Sequence, residues 1–589
     1  MLKIARYYRP YLWSILGVFA LTVLQVGANL ELPKIMSDIV DVGIVKLGAQ
    51  NTGSSISGEQ LGYILGRGGV MLAVALAGLA CTVVIGYLAA RFTAGLSRDL
   101  RGALFARIER FSFQEYDRFS AASLITRTTA DVTQVQGASF MLVRLALVAP
   151  LTILGSIVAA LRTDLSLSWI IGLTIPVILF AIGITARYAI PLFRTMQERA
   201  DHLNLVAREG LTGVRVIRAF NRQATQGAKF GQANDELTDT TLRVNNLMVT
   251  LMPILMLIVQ FASVAIVWFG ANLIDAGDLQ VGEMMAFLQY SAMMLMSLMM
   301  LMAVFMVLPR ANVSAERIAA VLDTEPVIND PAHPVESGDV GSPSVEFRNV
   351  TFFHDDAEEP SLSGISFKAD AGTTTAIIGS TGSGKTTILN LVERLYDATE
   401  GEVLVNGVNV RHYAQHGLRQ RMAYVPQRSV LFTGTVRSNM AVGRDDATQD
   451  QMEGALDTAQ ALDFVHELDG GLDAEVTQGG TNFSGGQRQR LAIARAIVRD
   501  PEIYLFDDAF SALDLRTDAA LRHALGARTT NAVTIMVAQR ISTIAGADQI
   551  IVLENGRVAG IGTHENLLAT NGVYREIAES QLTDEEMAR

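Results

Sequence analysis

The octapeptide GSTGSGKT, residues 379–386, combines residue types that bind phosphate groups. It fits the pattern G-x-x-x-x-G-K-[ST], follows the buried-strand signal TTTAIIG and precedes the helical stretch TILNLVERLY. Glycines let backbone N–H groups wrap phosphates at a helix N-terminus, while a lysine reaches the outer phosphates and a threonine hydroxyl holds Mg²⁺. We therefore expect a site for a nucleoside triphosphate with Mg²⁺, with Thr386 on the metal. Its residues are Gly379, Ser380, Thr381, Gly382, Ser383, Gly384, Lys385, Thr386 and Thr387.

Two carboxylates end a second buried-strand signal, about 120 residues further along the chain. They are Asp507 and Asp508, in the stretch YLFDDAFSALD from Tyr504 to Asp514. A carboxylate at this point of a nucleotide hydrolase binds Mg²⁺ directly or through water. The sequence therefore predicts Asp507 as a metal ligand. The alternative is that the pair only marks the turn after the strand.

Composition divides the 589 residues into two parts. Apolar runs of membrane-spanning length recur from about residue 11 to 308, whereas the region after residue 344 has the mixed composition of a soluble domain. The first run is long and further runs follow it, so we expect an anchor and not a cleavable signal peptide. The predicted spans are residues 11–31, 68–90, 137–160, 165–187, 246–273 and 282–308.

Charge and cysteine content exclude some classes of function. The formal net charge of -12 and a pI near 5.3 argue against a nucleic-acid partner, which requires a concentrated basic face. The single cysteine, Cys81, lies in an apolar run and has no second cysteine for an intrachain disulfide. We therefore expect neither nucleic-acid binding nor thiol redox chemistry.

The distribution of Lys and Arg predicts the orientation in the membrane. These residues cluster before the first span and in the two long connections that follow the second and fourth spans, whereas DAGDLQVGE, before the sixth span, has none. The positive-inside rule then predicts a multi-pass protein of the cell membrane with both termini and the soluble domain in the cytoplasm. The long connections are expected to be helical hairpins that reach roughly 30 Å into the cytosol. The polar segment 48–69 is expected to be a flexible external loop.

The sixth span is unusually rich in methionine, with nine of the 22 methionines of the chain between Met284 and Met306. Methionine is flexible and polarizable, so such a face can repack around apolar ligands of different shapes. The pattern is equally typical of a surface that faces lipid or packs against other helices.

The stretch FSGGQRQR, just before the strand that ends in Asp507, resembles the signature of ATP-binding cassette (ABC) proteins. Six spans followed by one cassette resemble an ABC half-transporter of the exporter type, with a type IV fold. The resemblance implies an N-terminal all-α membrane domain at 1–320 with six transmembrane helices and long cytoplasmic helical extensions. A linker at 321–344 and a C-terminal α/β P-loop ATPase domain at 345–589 would follow.

Other residues take expected roles from this resemblance, with ATP and Mg²⁺ as the cofactors. Gln427 is similar to the glutamine that touches Mg²⁺ near the membrane domain, and His354 falls where the family usually has a tyrosine that stacks on adenine. Residues 511–514 resemble a loop that crosses the dimer interface, and residues 127–131 and 209–220 resemble segments in and near the coupling helices. ATP held by a partner subunit would be contacted by Ser484, Gly485, Gly486, Gln487 and Asp514.

Two positions depart from the family pattern in the same site. Family members that hydrolyse ATP well usually have Glu, which polarizes the attacking water, where this chain has Asp508. With an unchanged backbone, aspartate stops roughly 1 to 1.5 Å short, a misplacement that can cost on the order of a hundredfold in rate. The switch histidine of the family is replaced by Gln539, which can donate a hydrogen bond but cannot become cationic. Together, Asp508 and Gln539 predict a site that binds ATP and seldom cleaves it.

These features lead to a functional hypothesis. An intact signature beside a weakened site fits a heterodimer, in which a second ABC half-transporter supplies the competent catalytic residues. The cargo is expected to be a hydrophobic or amphipathic small molecule, such as a drug, lipid or peptide, exported through the lipid bilayer at the expense of ATP. Two alternatives remain open: an ATP-gated channel or regulatory subunit, and an importer of a chelate such as a siderophore through an exporter-like fold.

Overall fold

The computed structural model of the chain describes residues 1–47, 57–335, 342–355 and 357–581. The chain divides into two compact units. The first comprises Met1–Ile108 and Ala122–Asp323, and the second comprises Glu109–Ala121 and Thr324–Arg589. The sequence placed all of residues 1–320 in the membrane domain, so the position of the short segment Glu109–Ala121 is a difference from that expectation.

The membrane unit is built from helices. Six of them, within the described ranges, are long and apolar enough to cross a membrane, which confirms the predicted six-helix domain. A 3-10 helix, Leu2–Tyr11, comes first, and π-helices at Ile39–Lys46 and Arg127–Asp131 continue two of the long helices. The α-helices of this half of the chain are α1 Leu12–Asp38, α2 Gly58–Ile108, α3 Phe113–Phe119, α4 Ala121–Thr126, α5 Val132–Thr163, α6 Ser168–Thr212, α7 Val214–Ala219, α8 Gln223–Ala276 and α9 Val281–Leu322.

The long helices extend well beyond the predicted spans. The 54 residues of α8 correspond to roughly 80 Å, against about 30 Å for the hydrocarbon core of a bilayer. The long connections are thus helical, as expected. The helix α2 begins at Gly58, ten residues before the predicted start at 68, so residues 58–67 of the polar segment 48–69 are helical and not a loop. Residues 48–56 of that segment lie outside the described ranges.

Packing in the membrane unit separates one helix pair from the other four helices. The helices α1, α2, α5 and α9 pack against one another, whereas α6 packs mainly along α8. The carboxylate of Asp41, buried just beyond α1, accepts hydrogen bonds from Ser37 Oγ at 3.0 Å and from the Gly282 N–H at 2.6 Å. A side chain at Gly282 would collide with Asp41, so glycine permits this contact. The end of α1 is thereby tied to the first turn of α9.

The methionines of α9 are distributed over more than one face. Met294 is buried in an apolar cluster with residues of α6 and α8, whereas Met296 is 64% exposed and Met300 is 43% exposed. Met294 therefore fits the helix-packing interpretation of the methionine-rich span.

The second unit contains two sheets and a short two-stranded ribbon. One sheet has the order β2-β1-β4-β5 and is antiparallel; the other has the order β12-β11-β3-β10-β9-β6 and is parallel except for β12. The strands are β1 Ser344–Phe352, β2 Leu362–Asp370, β3 Thr374–Gly379, β4 Glu400–Val405, β5 Val408–Asn409, β6 Met422–Val425, β7 Gly434–Thr435, β8 Glu475–Val476, β9 Ile503–Asp507, β10 Val533–Val537, β11 Gln549–Glu554 and β12 Arg557–Gly562.

Apolar side chains fill the space on both faces of the parallel sheet. Every residue of β9 and β10 is buried, as is typical of parallel strands that helices and a second sheet cover. The helices of this unit are α10 Lys385–Val392, α11 Gln415–Gln420, α12 Val436–Ala441, α13 Gln449–Thr458, α14 Leu462–His466, α15 Gly485–Val498, α16 Leu515–Arg528, α17 Ile541–Ile544, α18 His564–Thr570 and α19 Gly572–Glu579. The stretch TILNLVERLY was expected to be helical throughout, but α10 ends at Val392.

The short helix α3, at the tip of the first long hairpin, belongs to the second unit. Its N-cap residue, Ser112, donates from both its backbone N–H and its hydroxyl to Glu115, at 2.7 and 2.6 Å. The other carboxylate oxygen of Glu115 accepts from the Val327 N–H at 3.0 Å, and the side chain is only 3% exposed. One buried carboxylate therefore caps α3 and fastens it to the segment that leads into the cassette.

We expect Glu115→Ala to loosen this attachment. Hydrogen bonds to a charged acceptor contribute about 1.5 to 3 kcal/mol each, so loss of the carboxylate should raise the hydrogen-exchange rate of the Val327 amide at least about tenfold. Exchange followed by mass spectrometry on the full-length chain measures this. The matched control is Glu109→Ala, an exposed glutamate of the same segment, which should leave the rate unchanged. Unchanged exchange at Val327 in the Glu115 variant would contradict the attachment.

Candidate functional site

Four neighbouring strands of the parallel sheet bring the candidate residues together. The strands β6, β9, β10 and β3 are parallel, so their carboxyl ends lie at one edge of the sheet. Ligands of open α/β sheets bind at this edge. The residues that follow the four strands are Gln427, the pair Asp507 and Asp508, Gln539, and the loop 379–384.

The glycine-rich loop has the backbone of a phosphate cradle. Gly382 and Gly384 have φ of +83° and +95°, values that favour glycine, and a Cβ at Gly384 would collide with Leu362. The loop leads directly into α10, whose first N–H groups are available to an anion. The hydroxyl of Ser383 is buried and has no hydrogen-bond partner among the described residues. This donor and the open backbone N–H groups fit a bound phosphate chain.

The amine of Lys385 lies over the same loop. Its Nζ donates to the carbonyl oxygens of Gly379 at 2.8 Å and Ser380 at 2.7 Å. Burial lowers the pKa of Lys385, while the nearby charges of Asp508 and Asp507 raise it. The lysine is therefore positioned where a phosphate oxygen can replace the carbonyl contacts.

Asp507 and Thr386 form the pair expected to hold Mg²⁺. The Thr386 hydroxyl donates to Asp507 Oδ1 at 3.1 Å, and the Tyr424 hydroxyl donates to Asp507 Oδ2 at 3.2 Å. Burial raises the pKa of Asp507, and the hydrogen bonds from Thr386 and Tyr424 lower it. A carboxylate and a hydroxyl beside a phosphate cradle are the oxygen ligands that Mg²⁺ prefers, so these residues fit the metal.

Asp508 is held by two carboxamides on one oxygen. Its Oδ2 accepts from Gln427 Nε2 at 3.2 Å and from Gln539 Nε2 at 3.0 Å. The backbone of Asp508 has φ of 48°, a left-handed conformation that a non-glycine residue adopts rarely. Burial raises its pKa, and the hydrogen bond from Gln427 lowers it. The structure thus joins the two residues that depart from the family pattern through a single carboxylate oxygen.

The loop that carries Gln539 has a support that the sequence did not reveal. Gln581, which follows the last helix, donates from Nε2 to the Gln539 carbonyl at 2.8 Å, and its Oε1 accepts from the Ile541 N–H at 2.8 Å. A glutamine near a chain end carries no recognisable motif, and neither does Tyr424 on Asp507. Both supports depend on tertiary contacts and were missed for that reason.

The signature residues form a well-capped helix start. Ser484 is the N-cap of α15: its hydroxyl accepts from the Gln487 N–H at 3.2 Å, and the Gln487 side chain accepts from the Ser484 N–H at 2.9 Å. Gly485 and Gly486 are the first helical residues; Ser484 and Gly485 are exposed, and Gly486 and Gln487 are half-buried. Asp514 similarly caps α16 by accepting from the N–H and hydroxyl of Thr517. These caps leave exposed N–H groups that an anion can approach.

His354 lies in a cavity of about 710 Å³ in the second unit. Its ring meets those of Phe352 and Tyr396 edge to face, with centroids 4.9 and 5.6 Å apart. The Tyr396 hydroxyl donates to Asp117 of α3 at 2.8 Å, and burial raises the pKa of Tyr396. His354, the residue expected from the sequence to stack on adenine, is therefore connected to the hairpin tip through Tyr396.

A further buried carboxyl group, Glu393, lies at the C-terminal end of α10. Burial raises the pKa of Glu393 to about 8, while the charges of Arg419 and Arg499 lower it and that of Asp507 raises it. This carboxyl group therefore holds a proton at neutral pH.

Comparison with known proteins identifies the relatives of this arrangement. A family model described as the ABC transporter transmembrane region matches residues 15–298, and one described as ABC transporter matches residues 362–511. The chain is 42% identical over 576 residues to the uncharacterized ABC transporter ATP-binding protein MT1311 of Mycobacterium tuberculosis, with 97% of each chain covered.

A flippase and a solved structure extend these comparisons. An ATP-dependent lipid A-core flippase of Pseudomonas fluorescens is 33% identical over 496 residues, which cover 83% of this chain and 81% of the flippase. The structure of a bacterial Atm1-family ABC exporter with ATP bound superposes with a TM-score of 0.79 at 27% identity, covering 98% of this chain and 99% of that one. Both similarities include the membrane helices and the cassette.

The raised pKa of Glu393 predicts a pH dependence of stability. The unfolded chain releases this proton near pH 4.5, whereas the folded chain keeps it until about pH 8. The folded state therefore binds one more proton between these values, and its free energy of unfolding falls as pH rises through this window. Thermal unfolding of full-length protein at pH 5.5 and 8 should show a smaller loss for Glu393→Gln than for the wild type. Glu467→Gln, which changes an exposed glutamate, serves as control, and equal losses in all three would contradict the prediction.

Proposed function

The chain belongs to the ABC transporter family, and we propose that it works as one half of a heterodimer in which its own ATP site binds nucleotide but hydrolyses it slowly. As a member, it is an ATP-driven exporter of the type IV fold and a multi-pass membrane protein. The pairing, the division of labour between the two ATP sites and the class of cargo are the proposed parts.

The proposal rests on the two hydrogen bonds that hold the carboxylate of Asp508. A general base must approach the water that attacks the γ-phosphate, and aspartate is one methylene shorter than the usual glutamate. Here one oxygen of Asp508 already accepts hydrogen bonds from the side chains of Gln427 and Gln539, so the short carboxylate is directed toward two amides. Movement of the carboxylate toward the water works against these two hydrogen bonds. Both factors disfavour hydrolysis.

Gln539 removes a second contribution to catalysis. Its carboxamide donates to Asp508 and, when nucleotide is bound, is also able to donate to the γ-phosphate, but it carries no positive charge to stabilise the transition state. Binding suffers less than hydrolysis, because the phosphate loop, Lys385, Thr386 and Asp507 keep the features that hold ATP and Mg²⁺. In this proposal Gln427 joins Thr386 and Asp507 at the metal, and His354 contacts the base.

The signature residues support a partner subunit whose sequence differs from that of this chain. Ser484, Gly485, Gly486 and Gln487 form an intact, capped helix start whose first residues are exposed, suited to covering the γ-phosphate of ATP held by another subunit. Two copies of this chain would join two weakened sites. A partner with Glu and His at the corresponding positions would instead have one competent site, completed by this signature and by Asp514.

The second hairpin tip supports association with another subunit. Leu211, Val216 and Phe220, around α7, are 78%, 61% and 74% exposed. Exposed apolar side chains in a cytoplasmic tip indicate a surface for another protein. We propose that this tip contacts the cassette of the partner, with both termini and the cassettes in the cytoplasm of the cell.

The cargo is proposed to be hydrophobic or amphipathic. The six apolar helices, and the similarity to a lipid A-core flippase, support a compound that partitions into the bilayer and leaves by ATP-driven export.

Hydrolysis should depend on the partner far more than on Asp508. In the purified pair, replacing the partner's catalytic glutamate should lower ATPase activity at least about a hundredfold, the scale of a lost general base. Asp508→Ala in this chain should lower it less than about threefold. The chain alone should hydrolyse ATP slowly. Equal losses from the two substitutions, or fast turnover by the lone chain that Asp508→Ala abolishes, would refute the asymmetry.

Restoring the two family residues should restore hydrolysis in the lone chain. We expect Asp508→Glu combined with Gln539→His to raise ATPase activity at least about tenfold, with each single substitution giving less because the two act in one step. Adding Lys385→Ala should abolish the gain if hydrolysis takes place at this phosphate loop. A double variant that binds ATP with unchanged affinity and gains no activity would argue that other residues limit the site.

A further inference from the structure

A cavity of about 690 Å³ lies within the membrane unit, between α1, α5 and α9. One part of its wall is apolar and includes Val23, Leu30, Leu154 and Val158. Another part is charged and consists of Glu31, Lys34, Asp38, Arg162 and Glu283. The functions proposed above use none of these side chains.

The two kinds of wall are segregated along the membrane normal. The Tyr290 hydroxyl donates to the Leu30 carbonyl at 3.1 Å, and Gly155 lies against the Leu30 side chain, so these three residues mark one level in α9, α1 and α5. At about 1.5 Å per residue, Arg162 and Glu283 each lie roughly 10 Å from this level, in the direction of the predicted external surface.

Most other lining residues of α1 and α5 follow the same order, although apolar Val158, roughly 4 Å toward the outside of the Leu30 level, overlaps the charged part. Lys34 and Asp38 lie roughly 6 and 12 Å toward the outside of the Leu30 level, whereas Val23 and Leu151 lie roughly 10 and 6 Å toward the membrane centre. The cavity is therefore apolar at its inner end and charged at its outer end. A ligand that fits both ends is itself amphipathic.

Two of the five charged groups already have partners. Asp38 forms an ion pair with Arg67 of α2 at 3.5 Å, and Glu283 accepts from the Gln280 N–H at 2.9 Å as the cap of α9. Within the described residues, Glu31, Lys34 and Arg162 have neither a hydrogen bond nor an ion pair, and all three are exposed to the cavity. The groups available to a ligand are thus two cations and one anion.

Resting on the proposed export function, we propose that this cavity binds an amphiphile whose polar end carries an acid group and whose apolar chain lies along the inner wall. Lys34 and Arg162 contact the acid group, because arginine and lysine pair with phosphate and carboxylate oxygens. Glu31, one turn deeper than Lys34 on α1, favours an amine beside the acid group.

Binding of headgroups to the purified pair tests this site. The full-length chain with its partner is held in dodecyl maltoside, whose headgroup is uncharged, without ATP. Competition against a fluorescent lysophosphatidylglycerol then gives dissociation constants for four amphiphiles with the same alkyl chain length. They are lysophosphatidylglycerol, lysophosphatidylethanolamine, monoacylglycerol and an alkyltrimethylammonium salt. The two phosphate-bearing compounds should bind at least about tenfold more tightly than the other two.

Substitutions assign the effect to the cavity. Lys34→Gln and Arg162→Gln should each raise the dissociation constants of the phosphate-bearing compounds roughly tenfold and leave that of monoacylglycerol unchanged. Arg162→Lys keeps the charge and controls for a folding defect, so its dissociation constants should stay within about threefold of the wild-type values. Glu31→Gln should weaken the ethanolamine compound relative to the glycerol compound. Lys46→Gln removes an exposed cation beyond the same end of α1, outside the cavity, and should change none of these constants.

The outcomes separate this inference from the function on which it rests. Equal affinities for the four headgroups, or an effect of Lys46→Gln as large as that of Lys34→Gln, would overturn the acid-group site even if ATPase activity and export are normal. Headgroup selectivity that requires Lys34 and Arg162 would support the site. If that selectivity were found and the same amphiphiles neither stimulated ATPase activity nor crossed proteoliposome membranes, the export function would fail instead.

Discussion

The parallel alignment of β6, β9, β10 and β3 is the constraint on which the nucleotide site depends. Loop residues separated by more than a hundred positions meet because the carboxyl ends of parallel strands share one edge. The burial of β9 and β10 on both faces keeps that edge rigid, so a change of one methylene at Asp508 is not absorbed by movement of the strand. The shortened side chain keeps its reduced reach, and the neighbouring amides determine which partners it finds.

Those amides make the two departures from the family one structural unit. Gln539 and Gln427 both donate to the same oxygen of Asp508, and Gln581 holds the backbone that follows the Gln539 side chain, from the Gln539 carbonyl to the Ile541 N–H. A histidine at position 539 would have a different reach and could become cationic. It would therefore change both the position of the hydrogen-bond donor beside Asp508 and the charge near that carboxylate. In the proposed heterodimer, this arrangement of amides around Asp508 would be the local cause of the asymmetry.

The sequence was sufficient for features that depend on local pattern. The six apolar helices, the phosphate loop after a buried strand and the signature at a helix start are each specified by residues close together in the chain, and the structure has all three elements. Features that depend on distant contacts were not predictable. The sequence contains no signal that Tyr424 donates to Asp507, or that Glu115 reaches Val327, because each pair meets only in the folded chain. Helix ends were also misjudged where polar residues continue a helix, as at Gly58, since composition alone marks the apolar part of a helix and not its length.

The hydrogen bond between Tyr396 and Asp117 joins the aromatic cluster around His354 to the hairpin tip. Tyr396 meets His354 with its ring and α3 with its hydroxyl, while Glu115 fixes the same short helix to the start of the cassette segment. A base that stacks on His354 would press on the ring of Tyr396 and so on its hydrogen bond to Asp117. Because α3 continues through α4 into α5, which lines the charged cavity with Arg162, one continuous stretch of chain carries both the contact to the cassette and the proposed contact to the cargo. Such coupling requires only that nucleotide binding change the position of α3; because it needs no hydrolysis in this site, it would operate in the proposed slowly hydrolysing subunit as well as in a fast one.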